Sequence, residues 1–257
     1  MTRRFLLGKF SVLVGTFLAQ NLAYRGELFF WVLAQSLPLI FLGLWVEAGP
    51  RPGLDYARYF FFAWLAGLFR PTGVADYLGY EIRTGRLSPL LLRPFSPVLD
   101  HLADQLSLLL VYLVLGLPVA GVLGALFPGI LAGLEPARLI GYAGFLALGF
   151  AFHFALGWLL GALAFFLERS EGFLEAYYGA LFFFGGLAIP LDAFSPGLRR
   201  FLAWTPLPYA VYHPAALAAG WPGARGPLPL VLWTLGVAAL AGWVWRRGLL
   251  RYRAAGG

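Results

Sequence analysis

The chain has 257 residues, of which 60% are apolar and only 12% charged, against about 45–50% and about 25% in ordinary soluble domains. Few water-soluble folds fit that balance, and the charges sit in clumps between long apolar stretches, which is a membrane pattern. The net charge of +7 comes from arginines that flank apolar segments, with no nucleic-acid-binding motif among them, so it reads as a topology signal; with no cysteine there is no disulfide framework, thiolate metal site or cysteine nucleophile.

Arg3 and Arg4 precede an apolar stretch that Lys9 interrupts, and no small-x-small site follows before Gln20 and Asn21. Cleavage as a signal peptide is not expected. Lys9, Thr16, Gln20 and Asn21 line one side of a helix otherwise built of Phe, Leu and Val, which predicts that residues 2–24 lie in the membrane interface rather than cross it. Crossing the hydrocarbon layer of about 30 Å takes about 20 mostly apolar residues. Six segments qualify, from about Leu28 to Val46, Tyr56 to Ala75, Ala103 to Phe127, Leu139 to Leu167, Phe173 to Leu191, and Leu228 to Trp245. The fifth is the weakest, because Gly185, Gly186 and Pro190 crowd its end. The expected architecture is an all-α, polytopic membrane protein in one domain, residues 1–257.

Lysine and arginine are enriched in cytoplasmic loops. With the N-terminus inside, thirteen of the nineteen fall there: Arg3, Arg4, Lys9, Arg25, Arg70, Arg83, Arg86, Arg93, Arg169, Arg246, Arg247, Arg251 and Arg253. The outside set is Arg51, Arg58, Arg138, Arg199, Arg200 and Arg225. Both termini are therefore expected to be cytoplasmic. The cluster that follows the last apolar segment is the cleanest single indicator.

A nucleotide-binding loop needs G-x-x-x-x-G-K-[ST]. The one lysine, Lys9, follows Gly8 but precedes Phe10, and Arg3 stands where the first glycine would be. ATP hydrolysis by this chain is not expected. His101, His153 and His213 fall at an inner span entrance, within a span and in the outer stretch, too far apart in depth to meet as a metal or acid–base centre. No H-E-x-x-H or G-x-S-x-G pattern occurs, so no catalytic residue, cofactor or metal is expected.

His153 is the one ionisable group well inside a predicted span, on a face shared with Gly149, Gly157 and Gly161. It fits either close helix packing, for which Gly157 and Gly161 make a G-x-x-x-G pair, or a translocation path. Gln35 and Gln105 are weaker polar candidates, and Pro38 and Pro118 can kink their helices. Trp45, Trp204, Tyr209, Tyr212, Trp221 and Trp245 fall near predicted interfaces, where aromatic belts are expected. The stretch Tyr77 to Asp100 is charged at first and then apolar, yet too short and proline-rich to span. Such an element offers charges and a hydrophobic ridge to a cytosolic partner, with Glu81, Arg83, Arg86 and Arg93 as the expected contacts.

Three stretches carry a family resemblance: Ala23-Tyr-Arg25 before the first span, GRLSPLLLRP from Gly85 to Pro94, and GGLAIPL from Gly185 to Leu191, continuing through Pro196 into Trp204-Thr-Pro-Leu-Pro-Tyr209. With them the chain resembles the permeases of ABC-2 type transporters, in a bacterial branch with six spans. The resemblance implies an N-terminal connecting helix and a coupling helix within Tyr77 to Pro97 docked on a separate cytosolic ABC ATP-binding subunit. It further implies an outer re-entrant hairpin around Gly185 to Tyr209, export rather than import, a second permease, the same chain or a related one, and a bacterial inner membrane. Two rival readings are a non-transporting membrane scaffold that binds partners through the same loop and an intramembrane lipid-modifying enzyme.

Overall fold

The structure, a computed structural model, describes residues 3–51, 53–93, 95–168 and 171–252. Thr2, Pro94, Arg169 and Arg253, which figured in the expectations above, lie outside the described residues. The fold is all-helical. In chain order the helices are α1 (Arg3–Ala23), α2 (Arg25–Gln35), α3 (Pro38–Ala48), α4 (Gly53–Leu68), α5 (Val74–Arg83), α6 (Leu87–Leu91), α7 (Pro97–Leu126), α8 (Pro136–Ala162), α9 (Glu171–Phe184), α10 (Pro196–Leu202), α11 (Leu207–Ala210), α12 (Tyr212–Ala219) and α13 (Leu228–Leu249).

Among the described residues four helical segments are long and apolar enough to cross a membrane: Gly26–Ala48, Pro97–Leu126, Pro136–Phe165 and Leu228–Leu249. They match the first, third, fourth and sixth predicted spans. The other two are shorter than the apolar windows suggested. α4 has 16 residues and α9 has 14, about 24 and 21 Å at 1.5 Å per residue. α4 stops at Leu68 rather than running to Ala75, because Pro71 disfavours helical backbone at the residue before it and the chain turns through Gly73 into α5. Val74 and Ala75, which extended the window, belong to that next helix.

The prolines act unequally. At Pro38, which cannot donate to the carbonyl a turn back, the first segment divides into α2 and α3 at Ser36 and Leu37. Their amides turn to closer carbonyls, Ser36 to Leu33 and Leu37 to Ala34. Ser36 Oγ meanwhile accepts from Trp64 Nε1 at 3.1 Å. α7 runs through Pro118 as one helix.

α4 is largely enclosed, with Tyr56, Tyr59, Phe60 and Trp64 buried between α3, α7 and α12. α8 packs along α13, α5 and α12. One end of the bundle gathers α5, α6, the start of α7 and the ends of α8 and α13, where Tyr252 Oη lies 3.1 Å from Ser88 Oγ. The opposite end holds α10 to α12 and the turn after α7. There Arg58 donates to the carbonyls of Ile130, Gly129 and Ala132 at 3.1, 3.0 and 2.6 Å. Arg58→Met leaves those carbonyls to water and is expected to loosen the turn by about 1–2 kcal/mol, read as faster amide exchange over residues 127–135. Between the two ends the surface is apolar: Phe30, Trp31 and Ile40, Leu117 and Leu126, and Leu232 and Leu235 are exposed, as a lipid-facing belt requires.

The aromatic belt expected from sequence divides. Trp204 is exposed, but Tyr209, Tyr212 and Trp221 are buried. Trp221 stacks on Tyr59 at 4.4 Å between centroids and an angle of 13°, because the segment after α9 folds back against α4. That return is fixed at Gly186, whose φ of +106° suits glycine and whose Cβ would stand 2.5 Å from Tyr59 Oη. Tyr59 Oη donates to the Gly186 carbonyl at 2.7 Å and the Tyr212 amide to the Gly185 carbonyl at 2.9 Å.

Candidate functional site

α5 and α6 form the element in which the charged contacts were expected. Val74, Leu78 and Ile82 fall on one face, four residues apart, and are buried against α8. Tyr77, Tyr80 and Arg83 are exposed on the other. The mounting is close. A Cβ on Gly157 would lie 2.9 Å from Val74 Cβ, and one on Gly161 would lie 2.9 Å from Leu78 Cβ, so the G-x-x-x-G pair serves the contact of α8 with α5. The chain then turns at Gly85, Leu87 anchors α6 in the core, and Leu91 and Leu92 are left exposed, Leu92 at 87%.

The four predicted charges separate into two pairs. Arg83 and Arg86 lie on the exposed side, with the Arg86 guanidinium 5.2 Å over the Tyr80 ring. Glu81 and Arg93 turn to a polar pocket of about 520 Å³ between α1, α5, α6 and α7. There His101 Nε2 is 3.0 Å from Glu81 and Arg93 is 3.4 Å from Asp100. Gln20, Asn21, Tyr24, Tyr77 and Asp104 complete the polar lining. Asn21 donates to Ser107 Oγ at 2.7 Å, and Ser107 donates to the Asp104 carbonyl at 2.7 Å. Burial first, then Asp104, Glu27 and Asp76, pushes the Tyr77 phenol up, so it stays protonated and can donate beside these carboxylates. Among the described residues no three histidine or carboxylate groups converge as a metal site. The pocket is thus a set of pairwise locks: α5 to α7 through Glu81 and His101, α1 to α7 through Asn21 and Ser107.

Asp100 and Asp104 were missed as site residues, although their spacing of four places both on one face of α7 together with the turn bearing His101. The apolar window that opened at Ala103 absorbed Asp104 into a span. Gln20 and Asn21 were read as an interfacial stripe, and their approach to α7 is a tertiary fact.

His153 and Gln35 line neither surface. Buried His153 has both ring nitrogens engaged: Nδ1 is 2.7 Å from the Gly149 carbonyl, and Tyr177 Oη is 3.0 Å from Nε2. Since a carbonyl only accepts, Nδ1 carries the proton and Nε2 accepts from the tyrosine. Tyr177→Phe strands that nitrogen and is expected to lower stability by about 1–2 kcal/mol, measured as a fall in melting temperature in detergent. Gln35 ends α2 beside the Pro38 interruption, its Oε1 buried and without a partner among the described residues.

The family described as ABC-2 family transporter protein matches residues 56–256. No protein of curated function matches the chain. The family match spans more than three-quarters of the sequence, from α4 through α13, and takes in the α5–α6 element and three of the four apolar segments able to cross a membrane, Gly26–Ala48 lying ahead of it. The chain therefore belongs to the ABC-2 family of transporter permeases, multi-pass membrane proteins that work in general with an ATP-binding partner.

Proposed function

We propose that this chain is the permease subunit of an ABC exporter, built as one membrane domain that forms the translocation pathway with a second permease. A separate cytosolic ATPase docks on α5 and α6. In this reading α4 with the turn to α5, and α9 with the return at Gly185 and Gly186, supply the second and fifth crossings. Residues 185–209 then make an outer re-entrant hairpin, both termini face the cytoplasm, and the membrane is a bacterial inner membrane. The chain itself performs no chemistry.

The observation that carries the reading is the mounting of α5–α6. A partner could grip Tyr80, Arg83, Arg86 and the Leu91–Leu92 ridge, while the buried face is wedged against α8 at Gly157 and Gly161. Glu81 and Arg93 tie the same element to α7. A displacement imposed from outside then reaches helices on two sides of the bundle, because packed cores shift as bodies rather than deform continuously.

Reversing Arg83→Glu and Arg86→Glu is expected to cut the ATPase stimulation of the reconstituted complex by about tenfold, since wrong-sign charges at an interface cost about 1.4 kcal/mol or more. The melting temperature should hold, both residues being exposed. Unchanged stimulation with intact assembly would remove the docking assignment, and a chain that purifies as a solitary monomer would favour a scaffold.

A further inference from the structure

The arginines of the minority side of the charge bias are put to use. Arg58 holds the turn after α7 and Arg138 pairs with Glu135 at 2.7 Å. The other four, Arg51, Arg199, Arg200 and Arg225, line one cavity of about 600 Å³ with Asp192 and His213. Arg51 is paired with Asp192 and its guanidinium sits 4.1 Å over the Trp221 ring. Arg199, Arg200 and Arg225 form no ion pair among the described residues, so four arginines and one aspartate leave the cavity at a formal +3. Cations gathered in this way repel one another until an anion joins them.

A second polar group points to the same ligand. His213 is 1% exposed, and its Nδ1 accepts the Arg225 amide at 3.1 Å. Its proton is then on Nε2, which is buried without a partner, a donor of a kind that native structures seldom leave idle. Beside the cavity and sharing Arg200, Ala203 and Arg225 with it runs a groove of about 520 Å³. Its walls are Trp204, Leu228 and Leu232, 82%, 66% and 62% exposed. Trp233 Nε1 donates to the Trp204 carbonyl at 3.0 Å and fixes that wall.

We infer that cavity and groove together bind an anionic phospholipid, its phosphate against Arg199, Arg200, Arg225 and the His213 Nε2–H and one acyl chain along Trp204, Leu228 and Leu232. The continuity of a basic cavity with an exposed apolar groove selects an amphiphile over a soluble anion, which would have no use for the groove, and tryptophans at the junction suit headgroup depth. The assignment rests on the chain being a membrane protein and is independent of the ATPase and of the direction of transport.

The full chain, purified in detergent and equilibrated with equal amounts of phosphatidylglycerol and phosphatidylcholine of matched acyl chains, tests it by native mass spectrometry. Phosphatidylglycerol should be retained about tenfold over phosphatidylcholine, the worth of one good charge-assisted contact. Arg199→Ala with Arg200→Ala and Arg225→Ala should bring the ratio near one. Arg200→Ala alone, exposed and without an ion pair, should lower it about threefold and gives the answer if the triple variant does not fold. Trp204→Ser with Leu232→Ser should reduce retained phosphatidylglycerol, and inorganic phosphate at the headgroup concentration should leave it in place. Equal retention by the wild type, a ratio indifferent to the arginines, or release by inorganic phosphate overturns the proposal, the last in favour of a simple anion site.

Discussion

Replacing Gly161 with leucine is expected to abolish assembly of this permease, whereas Gly149→Ala, two turns or more away on the same helix, should be silent. A Cβ at Gly161 would stand 2.9 Å from Leu78 Cβ, 3.0 Å from Leu78 Cδ2 and 3.1 Å from the Ala75 carbonyl oxygen. The carbonyl is backbone and Leu78 is fully buried, so neither neighbour can swing aside. The remaining response is for α5 to leave α8. Overpacking of this sort costs about 1–3 kcal/mol for added methylenes, and leucine adds three carbons beyond the Cβ, so the upper end of that range applies. Separation of α5 also strains the Glu81–His101 contact on its far side. At Gly149 no atom lies within 4 Å of the added Cβ, and alanine has the higher helix propensity. The pair is read by size-exclusion homogeneity and melting temperature in detergent. Equal behaviour of the two variants would show that the close approach does not hold the element.

The long apolar helices were legible from sequence because a span is a local property: length and composition decide it within one window. The break near Pro38 was legible for the same reason, since proline acts on its own backbone, whereas the start of α7 at Pro97 lies six residues ahead of the apolar window that opened at Ala103. The ends of α4 and α9 were not, because an apolar window runs on through Val74 and Ala75 after the helix has stopped. Burial of Tyr209, Tyr212 and Trp221 was out of reach too. An aromatic beside a proline-rich turn has the same composition whether it faces headgroups or, as here, stacks on Tyr59 from another part of the chain.

The candidate site was half legible. Glu81, Arg83, Arg86 and Arg93 were found because a charged, proline-rich run too short to span stands out between apolar segments. That Glu81 turns to the polar pocket while Arg83 faces outward depends on which side of α5 meets α8, and Gly157 with Gly161 marks that side only once α5 is known to be the partner. Asp104 disappeared into the apolar window that opened at Ala103, and Asp100 closed the charged stretch without being singled out. The outer arginines were treated as the minority of a topology count, and only their convergence in space gives them a common task.

Acidification is expected to loosen the segment from α11 to Pro227 through His213. Burial, then the nearby Arg225, holds the His213 pKa down to about 3, against an ordinary value of 6.5. The folded segment therefore keeps a neutral imidazole at a pH where the unfolded segment takes up a proton. The stability this allows is complete above pH 6.5 and is lost as pH falls from there toward 3. At about 1.36 kcal/mol per unit, the loss reaches about 2–3 kcal/mol near pH 4.5. Structure gives the same direction: a second proton would have to go on Nδ1, which accepts the Arg225 amide, in a pocket already ringed by Arg51, Arg199, Arg200 and Arg225. His213→Gln can still accept that amide and does not titrate, so its melting temperature should vary less between pH 7 and pH 4.5 than that of the wild type. Amide exchange over residues 207–227, corrected for the intrinsic pH dependence, should accelerate in the wild type alone. Parallel pH profiles for the two chains would place the acid sensitivity elsewhere than His213.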